Sequence, residues 1–184
     1  MTVQTRLPQP LVEPIRKALT KHALPGETQG LSRDEERGAA EFLAEISAKR
    51  KRGELGLKIE SIGGEVGNRR MRIGIVNDDM PFLVDSVANA LAAKQLTIHR
   101  LLHPVVCVTR DGKGELLEVE QLCPDKERRE SMMYLELDRA DARGRQELAA
   151  DLNRVLNDVR LAVRDWHALQ NKMREDAKTI TEGD

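Results

Sequence analysis

Three aspartates surround one proline: Asp78, Asp79 and Asp85 stand on either side of Pro81. Carboxylates spaced this closely can work as an acid–base pair or hold a divalent cation. A carboxylate just before a proline also caps a helix and meets its positive end, which stabilises it by about 1 kcal/mol. Capping is the reading adopted here, ahead of a ligand-orienting role and of catalysis. An anion at the same helix start would meet two adjacent aspartates and be repelled. His99 and His103 fall four apart on one strand and point to one face, yet no third ligand accompanies them, so no metal is assigned. His103-Pro104 reads instead as a bulge or edge bend, and His22 and His167 fall on helices. Ser86 has neither a histidine base nor a nucleophile elbow. Gly63-Gly64 and Gly67 do not open a helix after a strand, so a dinucleotide is not held here in the Rossmann manner. Cys107 and Cys123 lack CxxC spacing, which argues against a disulfide framework and against structural zinc. No catalytic residue is assigned.

The 184 residues carry 30 basic and 31 acidic side chains, a net charge of −1. That balance gives no electrostatic reason to expect nucleic acid or an anionic membrane as partner. No apolar run approaches the ~20 residues that cross a bilayer. The opening MTVQTRLPQP lacks the apolar core of a secretory signal, and cytoplasm is the expected compartment. The aromatic residues are Phe42, Phe82, Tyr134 and Trp166, so the core must be aliphatic. An RNA-binding sheet stacks bases on exposed aromatics, and the predicted strands offer Tyr134 alone.

Three zones position these residues. Residues 1–54 read as a helical extension. Leu11, Ile15, Ala18, Leu19 and His22 share a face before Pro25-Gly26, and Ser32 with Glu35 forms a capping box ahead of Ala39, Phe42, Leu43 and Ile46. Lys49-Arg50-Lys51-Arg52 reads as favourable positive charge at that helix's C-terminus. Residues 55–173 hold an α+β domain. Strands are predicted at 57–62 and around Met71, Ile73 and Ile75. A helix opens at Pro81, and a long β segment runs from Leu96 to Arg110. Asp111-Gly112-Lys113-Gly114 turns that segment into a return strand, and 131–138 forms a further strand. Leu148 to Met173 then keeps a 3.6-residue period over a long helix, with Asp141 as N-cap. Residues 174–184 read as a polar, frayed tail. The order implies a two-layer sandwich with both helices on one face of an antiparallel sheet.

The stretch Asn77-Asp78-Asp79-Met80-Pro81-Phe82-Leu83-Val84-Asp85-Ser86-Val87 resembles the strand-to-helix turn of the ACT domain, a ferredoxin-like small-molecule-sensing module. With HPVVCVTRDGKG, SMMYLELDR and VLNDVRLAVRDW it resembles more narrowly the N-terminal ACT-like segment of large bacterial NAD-specific glutamate dehydrogenases, over residues 55–170. The resemblance implies a ferredoxin-like, ACT-like sheet with helices on one face. The chain would be a non-catalytic regulatory or assembly piece of a longer enzyme that oxidises L-glutamate to 2-oxoglutarate with NAD. The cofactor would belong to that enzyme and not to this piece. It also marks Asp78, Asp79, Met80, Pro81, Phe82, Leu83 and Asp85 as candidate ligand contacts. A free-standing ACT-like amino-acid sensor is the alternative.

Two departures from the ACT pattern carry expectations. Phe82 stands where the pattern has glycine, so its ring should block or fill the approach to the turn, and it is expected to be packed. No strand follows the second helix, so the leading strand 57–62 is expected to cover the sheet edge. The long helix raises a further question. A helix over 142–173 spans about 48 Å, against about 20 Å for a strand of ~6 residues. Val163, Trp166, Leu169 and Met173 therefore overhang the sheet. The N-terminal helices are the expected cover. Otherwise these four face the remaining domains of the parent chain or a second copy.

Overall fold

A computed structural model describes residues 9–21, 23, 26–63 and 70–181. His22, Pro25, Gly64 and Gly67 lie outside the described residues, as does the side chain of His167. Two helices come first, α1 (Gln9–Lys21) and α2 (Arg33–Ser47), followed by strands β1 (Gly56–Ile62) and β2 (Arg70–Asp78). Helix α3 (Leu83–Ala93) leads into β3 (Ile98–Leu102), β4 (Val105–Arg110) and β5 (Leu116–Glu120). A short 3-10 turn (Lys126–Arg128), β6 (Arg129–Asp138) and α4 (Ala142–Thr181) complete the chain.

The six strands form one antiparallel sheet in the order β1-β2-β6-β4-β5, with β3 also on β6. The predicted Leu96–Arg110 segment is two strands because it breaks at His103-Pro104. Pro104 has no N–H to give the ladder, although its carbonyl still accepts from Met132 N at 3.0 Å. Strand β1 pairs with β2 along its whole length, from Gly56 opposite Val76 to Ile62 opposite Arg70. The leading strand thus covers the edge of β2, as expected.

Alternation sorts the strands between two cores. Met71, Ile73 and Ile75 of β2 and Met133, Leu135 and Leu137 of β6 pack against Leu83, Val87 and Leu91 of α3 and Leu148, Leu152 and Leu156 of α4. The opposite face is not open. Val76, Met132 and Tyr134 pack there beneath Phe42 and Leu43 of α2, with Ile15 and Leu19 of α1 in the same cluster. Both domain helices, α3 and α4, lie on one face of the antiparallel sheet as expected, and the N-terminal helices add a third layer on the other face. Two residues that read as solvent-facing make this possible. Gly74 leaves room for α2, since a Cβ there would lie 2.8 Å from Phe42 Cε1. Arg72 lays its guanidinium 4.1 Å from the centroid of the Phe42 ring, a cation–π contact that lets a charged residue be covered.

The capping box forms as read: Ser32 Oγ accepts from Glu35 N at 3.2 Å, and Glu35 Oε2 from Ser32 N at 2.8 Å. Three local expectations fail. Helix α4 continues to Thr181, through the stretch read as a frayed tail. Helix α2 stops at Ser47, so the basic run 49–52 lies beyond it. Cys107 and Cys123 form a disulfide, with Cα atoms 5.0 Å apart. The β4–β5 hairpin places Cys107 opposite Glu120, and the chain folds back three residues later, a proximity that spacing alone conceals.

Candidate functional site

The strand-to-helix turn scatters its seven candidates instead of converging them. Leu83 is buried in the α3–α4 core and Met80 packs against its margin. Asp79 is exposed and uses its backbone N–H, which donates to Arg129 O at 3.1 Å. Pro81 and Asp85 are exposed, with Asp85 in the first turn of α3, where its charge meets the helix dipole. Phe82 is the N-cap of α3 in the left-handed conformation (φ 70°), with no side chain capping the helix. Its ring is 65% exposed, so the expectation that it is packed is overturned. The backbone keeps the conformation glycine would supply, and that geometry turns the ring outward. The capping reading of the aspartates fails as well, because Asp78 stays in β2 and turns to other partners.

Those partners belong to a buried charge cluster assembled from distant segments. Arg50 follows α2 in a segment that docks on the hairpin. Arg50 N donates to Gly114 O at 3.0 Å, and Leu116 N to Ala48 O at 2.9 Å. Gly114 (φ 86°) permits this approach, since a Cβ there would sit 2.7 Å from Arg50 O. The Asp111 turn holds the hairpin, its Oδ1 accepting from Lys113 N and Glu115 N at 2.8 Å each. The guanidinium of Arg50, 3% exposed, then donates to Asp78 Oδ1 at 2.7 Å, Glu130 Oε1 at 2.6 Å and Glu54 O at 2.6 Å. Arg110 forks onto the same carboxylate at 2.8 and 2.9 Å and reaches Ser47 O at 2.8 Å. Asp78 Oδ2 accepts from Gly53 N at 2.8 Å. Arg160 of α4 ties the helix to this loop by donating to Gly53 O and Asn77 Oδ1.

Two arginines thus share two carboxylates, with Arg50 and Glu130 buried and Asp78 part-exposed. Burial pulls the Arg50 pKa down, but the hydrogen bond and charge of Glu130, and then those of Asp78, more than offset it. Arg50 is held above its ordinary value and stays charged. A cleft of about 350 Å³ opens over this cluster, lined also by Lys51, Arg52, Asp111, Glu127, Arg128 and Arg129. Of the seven turn candidates, Asp78 alone reaches it. The basic run Lys49–Arg52, read as helix-end charge, is the signal that marked this place.

The histidines do not meet at a ligand. His99 Nε2 lies 2.7 Å from Asp138 Oδ1, and His103 Nε2 lies 2.6 Å from Ser131 Oγ. Burial holds His103 below its ordinary pKa, against the opposing charges of Asp79 and Glu27. Among the described residues no group of three or more His, Cys, Asp or Glu could hold a metal ion, and no helix is long and apolar enough to cross a membrane.

Among the described residues nothing covers the far end of α4. Trp166 is 54% exposed, Leu169 51% and Met173 61%, with Val163 half-buried beside them. The N-terminal helices were the expected cover, but they occupy the opposite face of the sheet, drawn there by Val76, Met132 and Tyr134.

Residues 16–152 match the family described as glutamate dehydrogenase, ACT1 domain. Over 106 residues the chain is 38% identical to the NAD-specific glutamate dehydrogenase of Pseudomonas aeruginosa, an alignment covering 56% of this chain and 6% of that protein. It is 36% identical over 107 residues to the NAD-specific glutamate dehydrogenase of Halomonas elongata, covering 55% of this chain and 6% of that protein. The chain therefore spans a small fraction of the length of these relatives. No solved structure matches it.

Proposed function

Because the chain belongs to the glutamate dehydrogenase ACT1 domain family, we propose that it is a non-catalytic regulatory and assembly domain of a large NAD-dependent glutamate dehydrogenase. The parent reaction is oxidative deamination of L-glutamate to 2-oxoglutarate and ammonia with reduction of NAD. The residues here do not fit NAD themselves: the turn between β2 and α3 offers Asp78, Asp79 and an outward Phe82 where a pyrophosphate needs glycines and free N–H groups. The domain works in the cytoplasm as part of the longer polypeptide.

The observation that carries the assembly role is the row Val163, Trp166, Leu169 and Met173 on α4. It continues the core-facing period of the helix beyond the end of this domain's own sheet. An aromatic anchor with aliphatic neighbours suits a helix-face contact. Its partner is the remainder of the same polypeptide, and a second copy of the chain is the competing occupant. The alternative of a free-standing amino-acid sensor is less well supported, because the turn that would hold the amino acid disperses its side chains.

The test is sedimentation of the wild-type chain and of Trp166→Glu, each alone and with the remainder of the polypeptide supplied separately. A monomer alone that binds the remainder, with at least tenfold weaker binding for the variant, is expected. A wild-type dimer dissociated by the substitution transfers the surface to self-association, and equal binding by both chains refutes the contact. The purified chain is also expected to form no NADH from glutamate, and turnover would end the non-catalytic reading.

A further inference from the structure

The cleft above the Arg50 cluster has a charge imbalance that the fold does not use. Six basic side chains line it (Arg50, Lys51, Arg52, Arg110, Arg128 and Arg129) against the carboxylates of Asp78, Asp111, Glu127 and Glu130, an excess of two in a chain whose net charge is −1. The floor is neutral, since Arg50 and Arg110 are matched by Glu130 and Asp78. Arg128 is paired with Glu120 at 2.8 Å just outside the lining, so the excess left at the rim is one.

There Lys51 and Arg129 carry charge that no carboxylate of the described residues neutralises, while Arg52 keeps a loose, exposed pair to Glu127. Arg129 donates to a backbone carbonyl, Cys123 O, at 2.8 Å and has no carboxylate partner among the described residues. Arg52 reaches Glu127 O at 2.6 Å, with the Glu127 carboxylate 3.6 Å away and exposed. The Lys51 ammonium has no partner among the described residues. A carbonyl satisfies an N–H and fixes a guanidinium in direction, but it leaves the positive charge in place. On the floor, Arg50 Nε is buried without an acceptor, although the residue is 3% exposed.

We propose that this cleft binds a small multivalent anion, a dicarboxylate or a phosphate, held at the rim by Lys51, Arg52 and Arg129 over the Arg50–Arg110 floor. Planar guanidinium forks suit both oxyanions, which present paired oxygens at matching spacing. The cleft volume of about 350 Å³ admits a metabolite-sized ion and excludes a protein segment. The three segments that form it, residues 48–54, the β4–β5 turn and the start of β6, also fix Asp78 at the end of β2 and Arg160 of α4. Occupancy would therefore be felt at both elements. The site does not depend on the assembly reading, because binding to this chain is measured without any partner.

The test is titration calorimetry of the 184-residue chain with succinate and with inorganic phosphate, and with acetate as a monovalent control. Saturable binding by succinate or phosphate in low salt, at least tenfold tighter than by acetate, is expected. Raising NaCl from about 50 to 500 mM should weaken it severalfold, as screening shortens the reach of the rim charges. Lys51→Glu and Arg52→Glu change exposed side chains and should each weaken binding at least tenfold while circular dichroism stays unchanged. Response to phosphate alone assigns a phosphorylated ligand, and response to succinate alone assigns a carboxylic acid. No saturation by either probe up to about 10 mM, weaker than any useful site for these ions, overturns the proposal. So does binding that both substitutions leave unchanged.

Discussion

Glu130→Gln should be among the most destabilising single-atom changes available in this chain. The Glu130 side chain is 5% exposed and accepts three N–H groups, at 2.6 Å from Arg50 and at 2.8 and 2.9 Å from Arg110. Glutamine keeps the shape but removes the charge and turns an NH2 toward one of the guanidinium donors. Arg50 then has one carboxylate, Asp78, which is 20% exposed, and Arg110 is left with neutral oxygens. Removing one partner of a buried ion pair costs about 3–5 kcal/mol, because the charge left behind has lost its solvent. For a chain of this length each kcal/mol moves Tm by about 2–4 °C, so a fall of roughly 6–20 °C is expected. Urea unfolding followed by far-UV circular dichroism reads the same change as a lower midpoint at constant slope. Lys172→Ala, which removes an exposed ion pair to Asp176, is the control and should leave the midpoint where it was. A second arm separates charge loss from misfit. Replacing Arg50, Arg110 and Glu130 together by apolar residues of similar volume should recover much of the loss. A Glu130→Gln loss below about 1 kcal/mol would mean that water reaches the cluster, and the account of a buried, mutually dependent network would fail.

Two further perturbations test the turn and the histidine. Phe82→Ala should cost less than about 1 kcal/mol in a urea titration, because the ring is 65% exposed. Phe82→Gly should be neutral or stabilising, since glycine relieves a left-handed backbone that costs other residues about 1–2 kcal/mol. A loss near 3 kcal/mol for Phe82→Ala would put the ring in a core instead. Burial keeps His103 below its usual 6.5, so the folded chain resists a proton that the unfolded chain accepts. The stability contributed by its neutral form is complete above pH 6.5 and is lost as pH falls toward the folded pKa. The urea midpoint should therefore drop between pH 7.5 and 5.5, and His103→Gln should flatten that drop; an equal slope in both chains would remove His103 as its source.

The elements legible in the sequence are those whose signal is local. The Ser32–Glu35 box, the Asp111 turn, the alternation in β1 and β2 and the period of α4 each depend on neighbours within a few residues. The same locality explains the misreadings. Arg72 and Gly74 look like the wet side of a half-buried strand, and only the arrival of Phe42 from α2 makes them an interior surface. Met132 and Tyr134 of β6 mark that second face, but the adjacent Met133 and Leu135 mask the alternation, as in any strand buried on both sides. The disulfide was hidden for the same reason: it joins residues brought together by a hairpin and not by spacing.

At the charged cluster, the sequence singled out two of the participating residues, but for local roles they do not play. Asp78 was singled out as a cap and Arg50 as helix-end charge, two local roles for groups whose partners lie 28 and 80 residues away. A charge run just past a helix is usually solvated, and nothing within Lys49–Arg52 distinguishes the one member that turns inward. Phe82 is different, because its signal was present. A glycine at the matching place in a related pattern can mean that a ligand needs space or that the backbone needs positive φ. The first meaning predicts that a phenyl ring plugs a pocket. The second predicts that the ring is carried on a strained turn and points away from the fold. With φ at 70° and the ring 65% exposed, the backbone requirement is what this chain retains. The turn therefore enters α3 with its candidate side chains dispersed, and the anion site we propose lies in the charged cleft beyond Asp78.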